Sequence, residues 1–226
     1  MSNSPSISVV IPTLNAAAHL VVTLASVGDY VDEVVIADGG SSDDTCELAA
    51  SSGARIVPSE RGRGQQLSTG AAKASGDWLL FLHADTVLPD TWAADVSAFT
   101  ADPANADRAA VFTFTLDDPS PQARRVERLV AWRTRRLGLP YGDQGLLISR
   151  RHYDRIGGFR PMPLMEDVDI IRRIGRANMD VLNTRVVTSA DRYRRGGWWG
   201  RPIRNMFCLA LYFLRVPPRI LVRLYR

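Results

Sequence analysis

Acidic residues stand at three places where apolar runs break. Asp38 closes the run in "VVIADGGSSDDT", Asp85 closes "LLFLHADT", and Glu166-Asp167 open the helix-like "MEDVDIIRRIG". One carboxylate plus substrate phosphates is a common way to hold Mg²⁺ or Mn²⁺, so Asp85 is a candidate ligand for a metal that neutralises a diphosphate. Asp38 precedes two glycines, which let a ligand approach the backbone. Its carboxylate could accept from a base imide or ribose hydroxyls, or close an Asx-turn while Ser41, Ser42 or Asp43 caps the next helix. Helical spacing puts Asp167 on the stripe of Ile170, Ile171 and Ile174, expected to pack inward, with Glu166 beside it on a face with Asp169 and Arg173. A carboxylate there could act as general base on a hydroxyl or simply complement the helix dipole; spacing leaves both open. His19, His83 and His152 make no zinc pattern, and a histidine at a strand end such as His83 is commonly a hydrogen-bonded wall residue.

These residues need a frame. "ISVVIP", "EVVIADGG", "ARIVPS" and "DWLLFLHAD" read as buried strands, separated by the helical "AAAHLVVTLASV", "SSDDTCELAASSG" and "GRGQQLSTGAAKASG". "DTWAADVSAFTAD" adds a helix and "AAVFTFTLDD" an alternating strand. Strands alternating with helices predict an α/β domain with a mainly parallel central sheet, and such sheets bind ligands beyond the carboxyl ends of their strands. Thr13 and Asn15, Asp38, and His83 with Asp85 all fall at such ends. Gly62 and Gly64 precede a helix whose free N–H groups suit phosphate, with Arg61 and Arg63 within reach, but the spacing is neither a Walker loop nor a dinucleotide fingerprint. Farther along, "SPQARRVERLVAWRTRRLG" is a basic amphipathic helix, and "YGDQGLLISRRHYDRIGGF" a turn, strand and short helix. "MEDVDIIRRIGRAN" is a helix and "DVLNTRVVTSA" a strand.

At 226 residues, 46% hydrophobic and 23% charged, the chain can bury one large core without staples, which argues against wholesale disorder. Cys46 and Cys208 give no disulfide framework and fit a reducing cytosol; the N-terminus has no secretory pattern. The net charge of +4 conceals an arginine-rich second half. Arginine forks suit phosphate, carboxylate, nucleic acid or an anionic membrane surface. The last stretch, "NMFCLALYFLRVPPRILVRLYR", has too short an apolar run to span a bilayer. It is an amphipathic helical appendage over residues 201–226, compatible with peripheral contact at the inner face of the membrane, packing on the domain, or a homodimer contact.

Together the motifs "SVVIPTLN", "VVIADGGSSDDT", "GRGQQLSTGAAKASGDWLLFLHADT", "YGDQGLLISRRHYDRIGGF" and "MEDVDI" resemble the family 2 glycosyltransferases over roughly residues 7–190. That resemblance implies a GT-A fold in residues 1–200, with a nucleotide-binding part near 7–117 and an acceptor part near 118–200. It implies an inverting, non-processive transfer of one sugar from a UDP- or GDP-type nucleotide-diphospho-sugar to a hydroxyl of a small-molecule or lipid-linked acceptor, assisted by Mn²⁺ or Mg²⁺. Pro12, Thr13, Asn15, Asp38, Arg61, Gln65, His83 and Ala84 would line the nucleotide site, and Asp85 would be the metal ligand of a D-x-D element. Asp167, paired with Glu166, would be the base. Gly142, Asp143 and Gln144 would form the acceptor side, and Arg192, Arg194 and Arg195 would close over the diphosphate.

Two departures stand out: His83 replaces the first D-x-D aspartate, and the Q-x-x-R-W signature of processive synthases is absent. The "HADT" and "YGDQG" variants look like a short subgroup associated with arsenosugar biosynthesis. Two rivals remain. A sugar-nucleotide pyrophosphorylase, or related nucleotidyltransferase, would need a glycine-rich basic loop after the first strand, where "PTLNAAAHL" stands. A non-catalytic basic module would bind a membrane or nucleic acid; the aromatics show no stacking platform for nucleic acid, which is not expected as a partner.

Overall fold

A computed structural model describes residues 5–198 and 200–225, apart from the side chains of Arg192, Arg195, Arg201, Pro218, Arg219 and Tyr225. The strands are β1 (Ile7–Thr13), β2 (Glu33–Asp38), β3 (Arg55–Pro58), β4 (Trp78–Phe81), β5 (Thr86–Val87), β6 (Ala109–Leu116), β7 (Leu146–Ser149) and β8 (Met179–Thr188). They form one eight-stranded sheet in the order β3-β2-β1-β4-β7-β6-β8-β5. The pairs β2–β3, β1–β2 and β1–β4 are parallel, as the continuous apolar runs predict. Beyond β4 the sheet is mixed, because β7 is antiparallel to both β4 and β6 while β8 runs parallel to β6. The parallel expectation therefore describes the first half of the sheet best.

Helices cover both faces. Leu20 and Leu24 of α1 (Ala17–Val27) and Trp92 and Val96 of α4 (Trp92–Ala101) pack with Val9, Ile11, Leu80 and Phe112 on one side. On the other, Leu67 and Ala71 of α3 (Arg63–Lys73) and Ile170, Ile171 and Ile174 of α7 (Glu166–Ile174) pack with Val10, Leu79 and Ile148. The short α2 (Thr45–Ser51) packs beside α1 and β3, and α6 (Arg150–Arg155) beside β7. Burying strands on both faces removes most of their apolar surface from water, at about 25 cal/mol per Å².

The basic helix α5 (Pro121–Trp132) is capped by Ser120, whose hydroxyl accepts from the Ala123 N–H, and widens into a π-helical turn over Arg133–Leu137. Ala123, Val126 and Val130 pack with Phe114, Leu116 and Tyr193 in a satellite core that includes α8 (Asp191–Gly196). The last two helices are α9 (Gly200–Phe213) and α10 (Pro218–Tyr225). Cys208 and Leu221 are fully buried in the same core as α7, so α9 and α10 pack on the domain body through one face. No helix among the described residues is long and apolar enough to cross a membrane.

Candidate active site

The C-terminal ends of β1 and β2 are tied together before any ligand is considered. Asp38 accepts from the Thr13 hydroxyl at 2.9 Å, the Ser41 hydroxyl at 2.5 Å, and the N–H groups of Gly40 and Ser41 at 2.9 and 2.8 Å. Burial alone would raise the Asp38 carboxyl, but these donors, led by Ser41, outweigh it and hold the group below the usual carboxylate range. Asn15, in the left-handed region at φ 52, accepts from the Ser42 N–H at 2.8 Å. Gln66 donates to the carbonyls of Thr13 and Ala37 at 2.6 and 2.9 Å, so α3 is pinned across both strand ends.

A cleft of about 590 Å³ opens above them, lined by Pro12, Thr13, Asn15, Arg61, His83, Ala84 and Asp85. That is within the usual ligand-pocket range of about 300–1,000 Å³. Two expectations shift here. Asp38 lies beneath this floor with its acceptor positions filled and does not line the cleft. Gln65 reaches Thr69 on its own helix while Gln66, one residue on, faces the site, because adjacent helix positions are rotated by about 100°. The glycine in the first turn of α3 also has a different task. A Cβ on Gly64 would overlap the Arg160 carbonyl and the Met162 backbone, so this glycine admits the loop before α7 instead of opening a phosphate cradle.

A second cavity adjoins the first, lined by Arg63, His83, Asp85, Tyr141, Gly142, Asp143, Glu166, Asp167 and others. Asp85 and Asp167, on different elements and far apart in the sequence, thus face one space. Gly142 joins the two motifs: its N–H donates to Asp167 Oδ2 at 3.1 Å, and a Cβ there would stand 2.7 Å from His83 Nε2. Arg63 Nε lies 2.9 Å from Glu166 Oε1, and Arg63 Nη1 lies 3.3 Å from His83 Nε2. A guanidinium only donates, so in this contact His83 Nε2 can serve only as the acceptor.

The two acids of the pair separate in environment. Met165 adopts the left-handed conformation at φ 66 just before α7 and swings Glu166 inward, to 1% exposure, while Asp167 stays half-buried at the cavity wall. This reverses the expected order of burial. Desolvation pushes the Glu166 carboxyl up, Arg63 pulls it down, and the neighbouring Asp167 carboxylate adds to the rise. Glu166 Oε2 is buried with no hydrogen-bond partner among the described residues.

Of the acceptor-side residues, Gly142 and Asp143 line the cavity and Gln144 does not. Gln144 is buried, accepting from the Thr134 hydroxyl at 2.8 Å and donating to the Phe112 carbonyl at 3.0 Å, so it anchors the loop. Arg194 points to acids instead of a diphosphate space, with Nε 2.9 Å from Asp118 and Nη1 3.1 Å from Asp191. The side chains of Arg192 and Arg195 lie outside the described residues. Asp191, Ser189 and Tyr193 line the cleft and were not singled out by sequence; their signal lay in the step from strand to helix after Thr188.

Among the described residues no three His, Cys, Asp or Glu side chains converge as a metal cage. Asp85 is nonetheless a hard oxygen donor on the wall of both cavities, and Mg²⁺ or Mn²⁺ commonly takes one or two carboxylates and completes its shell from phosphate and water. The donor set fits such an ion.

Known proteins share this frame. Glucosyl-3-phosphoglycerate synthase from Mycobacterium tuberculosis, solved with Mn²⁺ and UDP-glucose, superposes with a TM-score of 0.63 at 22% identity, covering 89% of this chain and 78% of that one. A second structure of that synthase, with Mn²⁺, UDP-glucose and phosphoglyceric acid, gives 0.59 at 25% identity over 79% and 69%. The fold is thus of the GT-A type. In sequence, the chain is 38% identical over 97 residues to a PGL/p-HBAD biosynthesis glycosyltransferase of M. tuberculosis, covering 38% of this chain and 37% of the relative. It is 36% identical over 96 residues to glucosyl-3-phosphoglycerate synthase of that organism, 37% and 30% of the two chains. The matched stretch spans about a third of these curated relatives. The family model described as glycosyl transferase family 2 matches residues 8–162, from β1 through the loop that packs on Gly64, and the chain belongs to that family.

Proposed function

We propose that this protein transfers one sugar from a nucleotide-diphospho-sugar to an acceptor hydroxyl, with inversion at the anomeric carbon and with Mn²⁺ or Mg²⁺ as cofactor. The observation that carries the reading is the shared cavity of Asp85 and Asp167, next to a cleft at the ends of β1 and β4. The likeness to a synthase solved with Mn²⁺, UDP-glucose and phosphoglyceric acid supports a nucleotide-sugar donor and a hydroxyl acceptor.

The nucleotide lies in the cleft over Pro12, Thr13 and Asn15, with Asp38 fixing the loop that shapes its floor. Asp85 holds the metal, which when bound neutralises charge on the departing diphosphate. Asp167, held by the Gly142 N–H, takes the acceptor's hydroxyl proton as the oxygen attacks the anomeric carbon. The new carbon–oxygen bond forms as the bond to the diphosphate breaks, and the nucleoside diphosphate leaves. One displacement from the opposite face inverts the centre. Arg63, anchored by Glu166, positions His83 at the boundary between the two cavities. "PTLNAAAHL" after β1 offers no glycine-rich basic loop for a pyrophosphorylase.

Calorimetric titration with UDP, GDP, CDP and dTDP, each with and without Mn²⁺, tests the donor site. Metal-dependent binding of one of them, abolished in Asp85→Ala, is expected. Failure of the wild type to bind any of the four with metal present would overturn the reading.

A further inference from the structure

An apolar groove leaves the catalytic cavity between α5 and α9. It shares Tyr141, Asp143, Tyr193 and Asn205 with that cavity and continues along Val126, Leu129, Val130, Leu137, Met206 and Leu209. At the junction the Asn205 side-chain oxygen is buried with no hydrogen-bond partner among the described residues. The inner end is therefore polar and the length of the groove is not.

The rim is apolar and exposed. Trp132 is 51% exposed on α5, and Ile203, Met206 and Phe207 are 62%, 54% and 54% exposed on α9. Ile203, Met206 and Phe207 fall on one stripe of α9, away from the buried Cys208, and Leu214 just past its end is 75% exposed. Interleaved with them, Arg128, Arg135 and Arg136 are exposed beside Leu129 and Trp132. Residues 200–226 contain six arginines and no acidic residue, and residues 121–137 contain six arginines and one glutamate.

We infer that this groove takes the apolar chain of an amphiphilic acceptor, and that the arginine-flanked rim around it seats on an anionic lipid surface. The acceptor assignment rests on the transferase reading above; the lipid-facing rim does not. Apolar side chains at interfacial depth with arginines at headgroup level are what such a surface binds. A second copy of the chain is a poorer occupant, because a two-fold contact through this face would set arginine against arginine. The Asn205 oxygen and the Tyr141 loop would meet the polar end of the chain, leaving its hydroxyl near Asp167.

The test uses the full chain with vesicles of phosphatidylcholine alone and of phosphatidylcholine mixed with phosphatidylglycerol. Co-sedimentation with the anionic vesicles only is expected, at least tenfold weaker in Met206→Glu and Phe207→Glu, with nucleotide affinity unchanged in both. Lipids brominated along the chain should quench tryptophan fluorescence, and Trp132→Phe should remove much of that quenching. Wild type that binds nucleotide but no anionic vesicle overturns the inference and leaves the transferase reading standing. So does undiminished vesicle binding by both glutamate variants, quenching unaffected by Trp132→Phe, or a lipid-free dimer that Met206→Glu dissociates. Vesicle binding without any nucleotide binding overturns the transferase reading, and the acceptor assignment with it, while the lipid-facing rim stands.

Discussion

The two halves of the cleft are built on opposite principles. On the side of β1, β2 and α3, buried polar groups are matched to one another: Asp38 accepts from four donors, and the Gln66 amide donates to two carbonyls. On the side of α5, α7 and α9, Glu166 Oε2 is buried without a hydrogen-bond partner among the described residues, and a row of large apolar side chains faces solvent. A floor fixed in advance leaves less ordering to binding. An acceptor side left with unmatched groups retains the capacity to interact with what binds there.

The sharpest way to break this comparison is at the chemistry between the halves. Asp167→Asn keeps the shape and the contact to Gly142 but cannot take a proton. Transfer should fall by about 10²–10⁴-fold, with nucleotide binding and thermal unfolding near wild type. Near-normal turnover would remove Asp167 from the role of base.

Smaller effects belong to packing. Gly64→Ala should cost about 1–3 kcal/mol, because the new methyl runs into the backbone at Arg160 and Met162. In a chain of this length that is about 2–4 °C in Tm per kcal/mol. Gly200→Ala, where an added methyl meets nothing within 4 Å, should stay within about 0.5 kcal/mol. Equal losses would show that the model of a tightly interlocked α3 and a looser α9 is mistaken.

Two buried glutamines sharpen the contrast. Gln66→Leu and Gln144→Leu each remove two buried hydrogen bonds and should each cost about 1–3 kcal/mol. Only Gln66→Leu should also weaken nucleotide binding, read by calorimetry, because only Gln66 holds the floor of the donor cleft. Matched nucleotide affinities in the two variants would contradict that division.

Much of the frame was legible because it is periodic. The apolar runs ending at Thr13, Asp38 and Phe81 and the Ile170-Ile171-Ile174 stripe identify their elements from local sequence. The two-residue β5 and the short α8 carry too few residues for any period to register. Cleft-lining positions were legible where an apolar run gives way to polar residues, as at Thr13 and Asp85. They were not legible where orientation depends on rotation about an axis, as between Gln65 and Gln66, or on one left-handed residue, as Met165 decides between Glu166 and Asp167. Arg63 was visible as a loop cation, but its two partners come from the loop after β4 and from α7, and no local pattern joins them.

The smallest effect is also the most discriminating, because two carboxylates across the cleft should respond to pH with opposite sign. Asp38 is held below the usual range in the folded state. Its contribution to stability is therefore present above the unfolded value of about 3.9 and is lost as pH falls through the lower folded value. Glu166 is pushed up, so relative to a neutral side chain it costs stability as pH rises from the unfolded value of about 4.3 through the higher folded value. Denaturant unfolding from acid to neutral pH should show the gap between wild type and Asp38→Asn widening with rising pH up to about 4. The gap between wild type and Glu166→Gln should instead shrink as pH rises above about 4, whatever its absolute size after loss of the Arg63 partner. Parallel slopes would mean that the two sides of the cleft treat buried charge alike, and the distinction between a matched donor floor and an unmatched acceptor wall would fail.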